Sequence, residues 1–242
     1  MLKNPEGQQV PKVTFAVRQN STWAELTTDE IFKGKTVVVF SLPGAFTPTC
    51  SSSHMPRYNE LAGVFAKNGV DEIICVSVND AFVMDAWQED QSCLKIKMIP
   101  DGNGEFTEGM GMLVNKEKVG LGKRSRRYSM LVKDGVIEKM FVESDDAGDP
   151  KVSDADTMLK YINSEAVTPE FVTLFTKQGC PHCARAKKLL DDKGYDYEEI
   201  PLAGNISSRS VRAVTNRSTV PQIFIGGKHI GGADDLEAYF KV

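Results

Sequence analysis

Lys35-Thr-Val-Val-Val-Phe-Ser41, followed at once by Leu42-Pro43-Gly44, is a β-branched run that stops at a turn signal. It reads as a buried strand leading into a loop. A helical pattern follows from about Thr49 to Asn68 and ends at Gly69. Glu72-Ile-Ile-Cys-Val-Ser-Val78 is a second apolar run, and residues 81–90 return to helical spacing. Strands alternating with helices imply βαβ crossovers and a largely parallel central sheet, hence an α/β fold.

Working outward, Tyr128–Val132 and Val136–Val142 flank Lys133-Asp134-Gly135, and Asp-Gly between alternating apolar runs signals a hairpin. A closing helix near 154–162 completes a first unit, residues 1–162. Asn163-Ser-Glu-Ala-Val-Thr-Pro169 has no clear periodicity and ends in a proline that disfavours helix before it, so 163–169 reads as a linker. A smaller α/β pattern then starts afresh over 170–242: strands at 171–176, 196–200 and 222–226, and helices from about Cys183 to Lys193, at 206–215 and at 234–241.

The totals agree with two ordinary domains. The 242 residues are 41% hydrophobic with charges of both signs, as in a globular protein. A net charge of −4 offers no footing for nucleic acid or an anionic membrane. The opening Met1-Leu-Lys-Asn-Pro-Glu-Gly7 lacks the apolar core of a secretory signal, and no stretch approaches a spanning helix, so the expected address is the cytoplasm. Five scattered cysteines suit a reducing compartment, where thiols are catalytic, metal-binding or simply buried.

Two of the cysteine contexts carry chemistry. In Pro43-Gly-Ala-Phe-Thr47-Pro48-Thr49-Cys50, Thr47 suits an N-cap and Pro48 the first helical position, which puts Cys50 at N3. Free backbone N–H groups and the positive end of the helix dipole there favour a thiolate. A richer thiolate population gains some tens of fold at most, so fast chemistry at this sulfur also needs donors aimed at the charge that develops in the transition state.

Pro43-x-x-x-Thr47-x-x-Cys50 resembles the peroxiredoxin active-site motif, and Arg127-Tyr-Ser-Met130 resembles the arginine-bearing segment of the type-five subfamily. The resemblance covers most of residues 5–162. It implies Cys50 as peroxidatic thiolate, Thr47 hydroxyl and Arg127 guanidinium as donors to the thiolate and peroxide oxygens, and Pro43 as a shield against water and overoxidation. Lys116, Lys118, Lys123, Arg124 and Arg126 otherwise read as a solvated basic face. His54 reads as a surface or structural histidine, Cys75 as a buried inert thiol, and Cys93 as a thiol that nothing marks as reactive. Residues 130–170 hold no cysteine, which departs from relatives that carry a resolving cysteine there and leaves Cys50 sulfenic acid to an external thiol.

In Phe175-Thr-Lys177-Gln-Gly-Cys180-Pro181-His182-Cys183 a strand runs into a Cys-x-x-Cys and a helix. Cys180 at N-cap and Pro181 at N1 hold the first sulfur over free N–H groups, with Cys183 one turn on. A structural zinc site needs about four ligands, and no second cysteine pair follows. Downstream, Thr219-Val220-Pro221 suits a cis bond in a tight turn. Over 170–242 the chain strongly resembles a dithiol glutaredoxin, through Cys180-Pro-His-Cys183, Thr219-Val-Pro221 and Gly231-Gly-Ala-Asp234-Asp235. The resemblance implies a glutathione groove with Lys177 at the glycine carboxylate, Val220 and Pro221 at the cysteinyl portion and Asp234 at the γ-glutamyl end.

Together these imply two thioredoxin-like domains, each a central mixed β-sheet flanked by helices. The activity implied is a glutathione-dependent peroxidase recycled by its own second domain, with glutathione as co-substrate and no bound cofactor. Seven linker residues reach at most about 25 Å, short against two domain radii, so a homo-oligomer (dimer or tetramer) is expected, with service of Cys50 by the Cys180 of its own chain or of a neighbour left open. The rivals are a disulfide reductase whose first domain docks protein clients, and a sensor in which Cys50 oxidation changes assembly.

Overall fold

A computed structural model describes residues 5–19, 21–144, 148–168 and 170–241. The first four residues of the N-terminal stretch and Pro169, which closes the expected linker, lie outside the described residues. The chain divides into units 1–166 and 167–242, each with its own sheet and core.

The first unit opens with three elements that the periodicity left unassigned, the hairpin β1 (Thr14–Gln19) and β2 (Thr22–Thr27) and the short helix α1 (Thr28–Phe32). The decisive run is β3 (Thr36–Ser41), followed by α2 (Met55–Glu60), α3 (Ala62–Lys67), β4 (Glu72–Ser77), α4 (Ala81–Asp90), β5 (Lys97–Pro100) and α5 (Glu105–Gly109). A two-stranded ladder, β6 (Leu113–Asn115) and β7 (Lys123–Ser125), leads to β8 (Tyr128–Lys133), β9 (Val136–Val142) and α6 (Ala155–Ile162).

The main sheet has the order β5-β4-β3-β8-β9. Because side chains alternate along a strand, Val38 and Phe40 enter a core with Cys50, Tyr58 and Trp87, while Val37 and Val39 enter a second core with Phe15 and Phe106. A strand covered on both faces reads as a near-continuous apolar run, as Val37-Val-Val-Phe40 of β3 does. The β3–β4 and β4–β5 pairings are parallel, but β3–β8 and β8–β9 are antiparallel. The sheet is therefore mixed and not largely parallel: Asp134 and Gly135, both at positive φ (47° and 77°), turn the chain back without a crossover helix.

The single helix expected over 49–68 is broken. It starts at Pro48, takes a π turn over Cys50–His54, and splits again at Leu61 between α2 and α3. Pro56 accounts for the π turn. It has no N–H to give and its ring crowds the carbonyl one turn back, so the Met55 N–H bonds instead to the Cys50 carbonyl, five residues earlier.

The second unit contains β10 (Val172–Thr176), α7 (Pro181–Asp192), β11 (Tyr197–Pro201), α8 (Ser208–Thr215), β12 (Gln222–Ile225), β13 (Lys228–Gly231) and α9 (Ala233–Tyr239). The strand order is β11-β10-β12-β13, parallel at β10–β11 and antiparallel elsewhere. Strand β13 was not expected. Gly226 and Gly227, both at positive φ, close a two-residue hairpin where the sequence pattern suggested only a strand end. Among the described residues no helix is long and apolar enough to cross a membrane.

Candidate active sites

The β3–β8 register pairs Ser41 with Tyr128. That pairing brings Arg127, just before β8, to the end of β3 from which the loop carrying Cys50 departs. The helix begins after Thr47, and the Ser51 N–H closes its first turn on the Thr47 carbonyl at 3.1 Å. Cys50 is fully buried, yet not in purely apolar surroundings: Arg127, only 8% exposed, holds Nη1 3.5 Å from its sulfur.

The same Nη1 lies 3.1 Å from His54 Nδ1. A guanidinium can only donate, so Nδ1 accepts and the imidazole proton sits on Nε2. Nε2 then donates to the Ser153 carbonyl at 3.1 Å, which also accepts the Tyr58 hydroxyl at 2.8 Å. Burial, with the Arg127 charge, lowers the His54 pKa to about 4 against the opposing Ser153 bond. His54 is thus neutral near pH 7, and it is a buried histidine, not a surface one. Glu143 completes the assembly, its Oε1 accepting the N–H groups of Lys151, Val152 and Ser153 and the Ser153 hydroxyl at 2.7–2.9 Å.

The Thr47 hydroxyl donates to the Gly44 carbonyl at 2.8 Å, so its one proton is engaged there instead of at the sulfur, contrary to the expected donor role, and its lone pairs remain to accept. Pro43 is half-buried and shares with Arg127 the lining of a cavity of about 60 Å³, which Cys50 itself does not line. Arg124 spends its donors on the Val78 and Leu121 carbonyls, a structural task. Cys75 and Cys93 are buried, and burial pushes both thiol pKa values up, that of Cys93 to about 11. His54, Ser153 and Glu143 are the residues that sequence reasoning missed as partners of this site; a histidine four residues after the cysteine was its only trace.

In the second unit Cys180 is the N-cap of α7, its sulfur accepting the Cys183 N–H at 3.3 Å, with Pro181 at the helix start. Its thiol is 3.7 Å from the Val220 carbonyl, and the Val220–Pro221 bond is cis. Burial acts to raise the Cys180 pKa. The Cys183 thiol, the N–H groups of Cys183 and His182 and the Lys177 charge outweigh it and bring the pKa below the ordinary thiol value. For Cys183, burial, Cys180 and Glu199 act together to raise it to about 11. Cys180 is therefore the more acidic thiol of the pair and Cys183 the less acidic. Lys177 lines the cavity of about 640 Å³ at these cysteines. Asp234 lies at the start of α9, largely exposed and ion-paired with Arg185, while its neighbour Asp235 takes the Gly232 N–H and Arg217. No group of three or more His, Cys, Asp or Glu side chains suited to a metal occurs among the described residues.

Two thioredoxin-like sheets, each delivering a thiol at a helix start, define a two-module thiol oxidoreductase. The Redoxin family profile matches residues 5–159 and the Glutaredoxin profile residues 172–230, and the chain belongs to the peroxiredoxins, as a type-five-like peroxiredoxin domain fused to a glutaredoxin domain. It is 65% identical over 240 residues to the hybrid peroxiredoxin hyPrx5 of Haemophilus influenzae, covering 99% of this chain and all of that one. Peroxiredoxin sll1621 of Synechocystis is 55% identical over 169 residues, 64% of this chain and 89% of its own length. Among solved structures, reduced Prx3 of Vibrio vulnificus in complex with H₂O₂ matches with TM-score 0.63 and 40% identity, over 66% of this chain and all of that one. The protein is a thiol peroxidase that reduces peroxides through a reactive cysteine.

Proposed function

We propose that Cys50 is the peroxidatic residue and that the protein's own glutaredoxin domain returns it to the thiol with electrons from glutathione. The Cys50 thiolate attacks a peroxide oxygen, the O–O bond breaks, the leaving oxygen takes a proton and Cys50 becomes a sulfenic acid. Arg127 stabilises the negative charge as it passes from sulfur to the leaving oxygen during that step, and Thr47 accepts from the peroxide O–H. Pro43 screens the sulfur from water.

A glutathione thiol then condenses with the sulfenic acid, water leaves and a mixed disulfide remains on Cys50. Since Cys50 is fully buried, the π turn must open for a tripeptide to reach it. Cys180 attacks the glutathione sulfur, Cys50 departs as thiolate, and a second glutathione regenerates Cys180 with release of glutathione disulfide. Lys177, Val220, Pro221 and Asp234 hold the glutathionyl group, Asp234 exchanging Arg185 for the ligand ammonium. Cys183 can contribute through a Cys180–Cys183 disulfide without being required.

The observation that carries this reading is the Arg127 contact at 3.5 Å from the buried Cys50 sulfur. In this reading residues 1–162 are the peroxidase, 163–169 the linker and 170–242 the glutaredoxin module. Five free thiols support a cytoplasmic address. Trp23 and Phe82, packed edge to face yet more than half exposed, support a homo-oligomer. The test is glutathione oxidation driven by hydrogen peroxide in the wild type and in Cys50→Ser, Cys180→Ser and Cys183→Ser. The first two should abolish turnover and the third should leave much of it. Full turnover without Cys180 would show that the second domain is not the reductant.

A further inference from the structure

The mechanism leaves unused an ion pair that shares a cavity with the second cysteine. Cys180, Cys183, Lys177, Thr176, Lys187 and Glu199 line one space of about 640 Å³. Lys187 follows Cys183 by one turn of α7, so the two side chains leave the same helix face. Its Nζ is 3.0 and 3.1 Å from the two carboxylate oxygens of Glu199 on β11, and the Thr176 hydroxyl donates to Glu199 Oε1 at 2.7 Å. Three charge-assisted bonds thus anchor one carboxylate at the cysteine pair. Val220 and Asp234, assigned above to glutathione, do not line this space.

We infer that Lys187 and Glu199 are positioning residues for Cys183: the carboxylate holds Cys183 as a thiol, the ammonium limits that effect, and a glutathionyl group on Cys180 consequently persists until a second glutathione removes it. The inference rests on Cys180 as the glutathione carrier. In the competing step the Cys183 thiol loses its proton to solvent and its sulfur attacks Cys180. The adduct S–S bond breaks, a Cys180–Cys183 bond forms, and glutathione leaves as a thiolate that takes up a proton. A fixed negative charge beside Cys183 raises the cost of the first proton loss.

The charged or titratable groups at Cys183 are Cys180 and Lys177 from the loop, Lys187 from α7 and Glu199 from β11. The bonds from Thr176 and Lys187 hold the Glu199 carboxyl below the usual range. It therefore acts at neutral pH as a constant charge and not as a base.

The experiment follows alkylation of Cys183 by iodoacetamide against pH, read by peptide mass, in the full-length chain carrying Cys180→Ser. Adding Glu199→Gln should lower the midpoint by on the order of one pH unit, and adding Lys187→Gln should raise it. Opposite shifts from two near-isosteric changes cannot come from loosened packing. Shifts of the same sign, or none in either variant, overturn the inference. In the Cys180-containing chain held in a glutathione redox buffer, Glu199→Gln should raise the ratio of internal disulfide to Cys180 adduct several-fold. An unchanged ratio also overturns it. A wild type that forms no Cys180 adduct would instead sink the glutathione route while leaving the alkylation midpoints as they stand.

Discussion

The guanidinium of Arg127 is a permanent charge in a nearly closed space, and one of its nitrogens serves two partners, the Cys50 sulfur and His54 Nδ1. In such surroundings a charged donor is worth more than in water, and its benefit falls on the transition state, where charge spreads toward the leaving oxygen. Arg127→Gln keeps a donor but loses the charge. It should lower kcat/KM for hydrogen peroxide by about 10²-fold, the order expected when preorganised electrostatic stabilisation of the transition state is lost. Exchange of a small glutathionylated disulfide at Cys180 should be unaffected, which separates the two domains in one preparation. A peroxide rate equal to wild type would remove Arg127 from the chemistry. At Cys180 the governing contact is local, an N-cap sulfur over its own helix; at Cys50 it comes from a residue 77 positions away.

Between β3 and α3 the chain carries an irregular helix that starts at Pro48, takes a π turn over Cys50–His54 and is pinned from outside. The pin is the segment 151–153, folded around Glu143, whose Ser153 carbonyl receives His54 and Tyr58. Tyr58 in turn stacks on Phe40 of β3 at 4.3 Å. Because His54 titrates near 4 when folded and near 6.5 when unfolded, the unfolded chain binds the proton more readily. The stability that neutral His54 confers is therefore complete above pH 6.5 and is lost as pH falls from there toward 4. Between pH 7 and pH 5 the loss is about 2 kcal/mol. Urea unfolding at the two pH values should show a clearly smaller gap in His54→Phe than in the wild type. Equal gaps would mean that His54 is not buried in its neutral form.

At the scale of the whole molecule, joining a peroxidase to its reductant raises their effective concentration to the order of mM, provided a short tether lets the two thiols meet. If Cys180 serves the Cys50 of a neighbouring chain, mixing the inactive Cys50→Ser and Cys180→Ser proteins should restore a substantial part of glutathione-driven turnover, while either alone stays silent. No recovery, with both variants shown to exchange subunits, would confine transfer to a single chain. Much of the architecture was legible: β3 through its apolar run, the β8–β9 turn through Asp134-Gly135, and the Cys180 cap through Cys-Pro-His-Cys. The first-unit hairpin β1–β2 and strand β13 were not, because short strands bounded by polar turns carry too few apolar positions to stand out from loop. By itself the sequence determined that Cys180 caps a helix and so lies over its free N–H groups, since capping is settled within a few neighbouring residues. Only the tertiary structure decided that Arg127 also meets His54, that His54 is tied to Ser153, 99 residues away, and that Glu199 lines the same cavity as Cys183. Coulomb forces and hydrogen bonds act across a few ångströms of space, and no periodicity along a chain records which distant residues that space will contain.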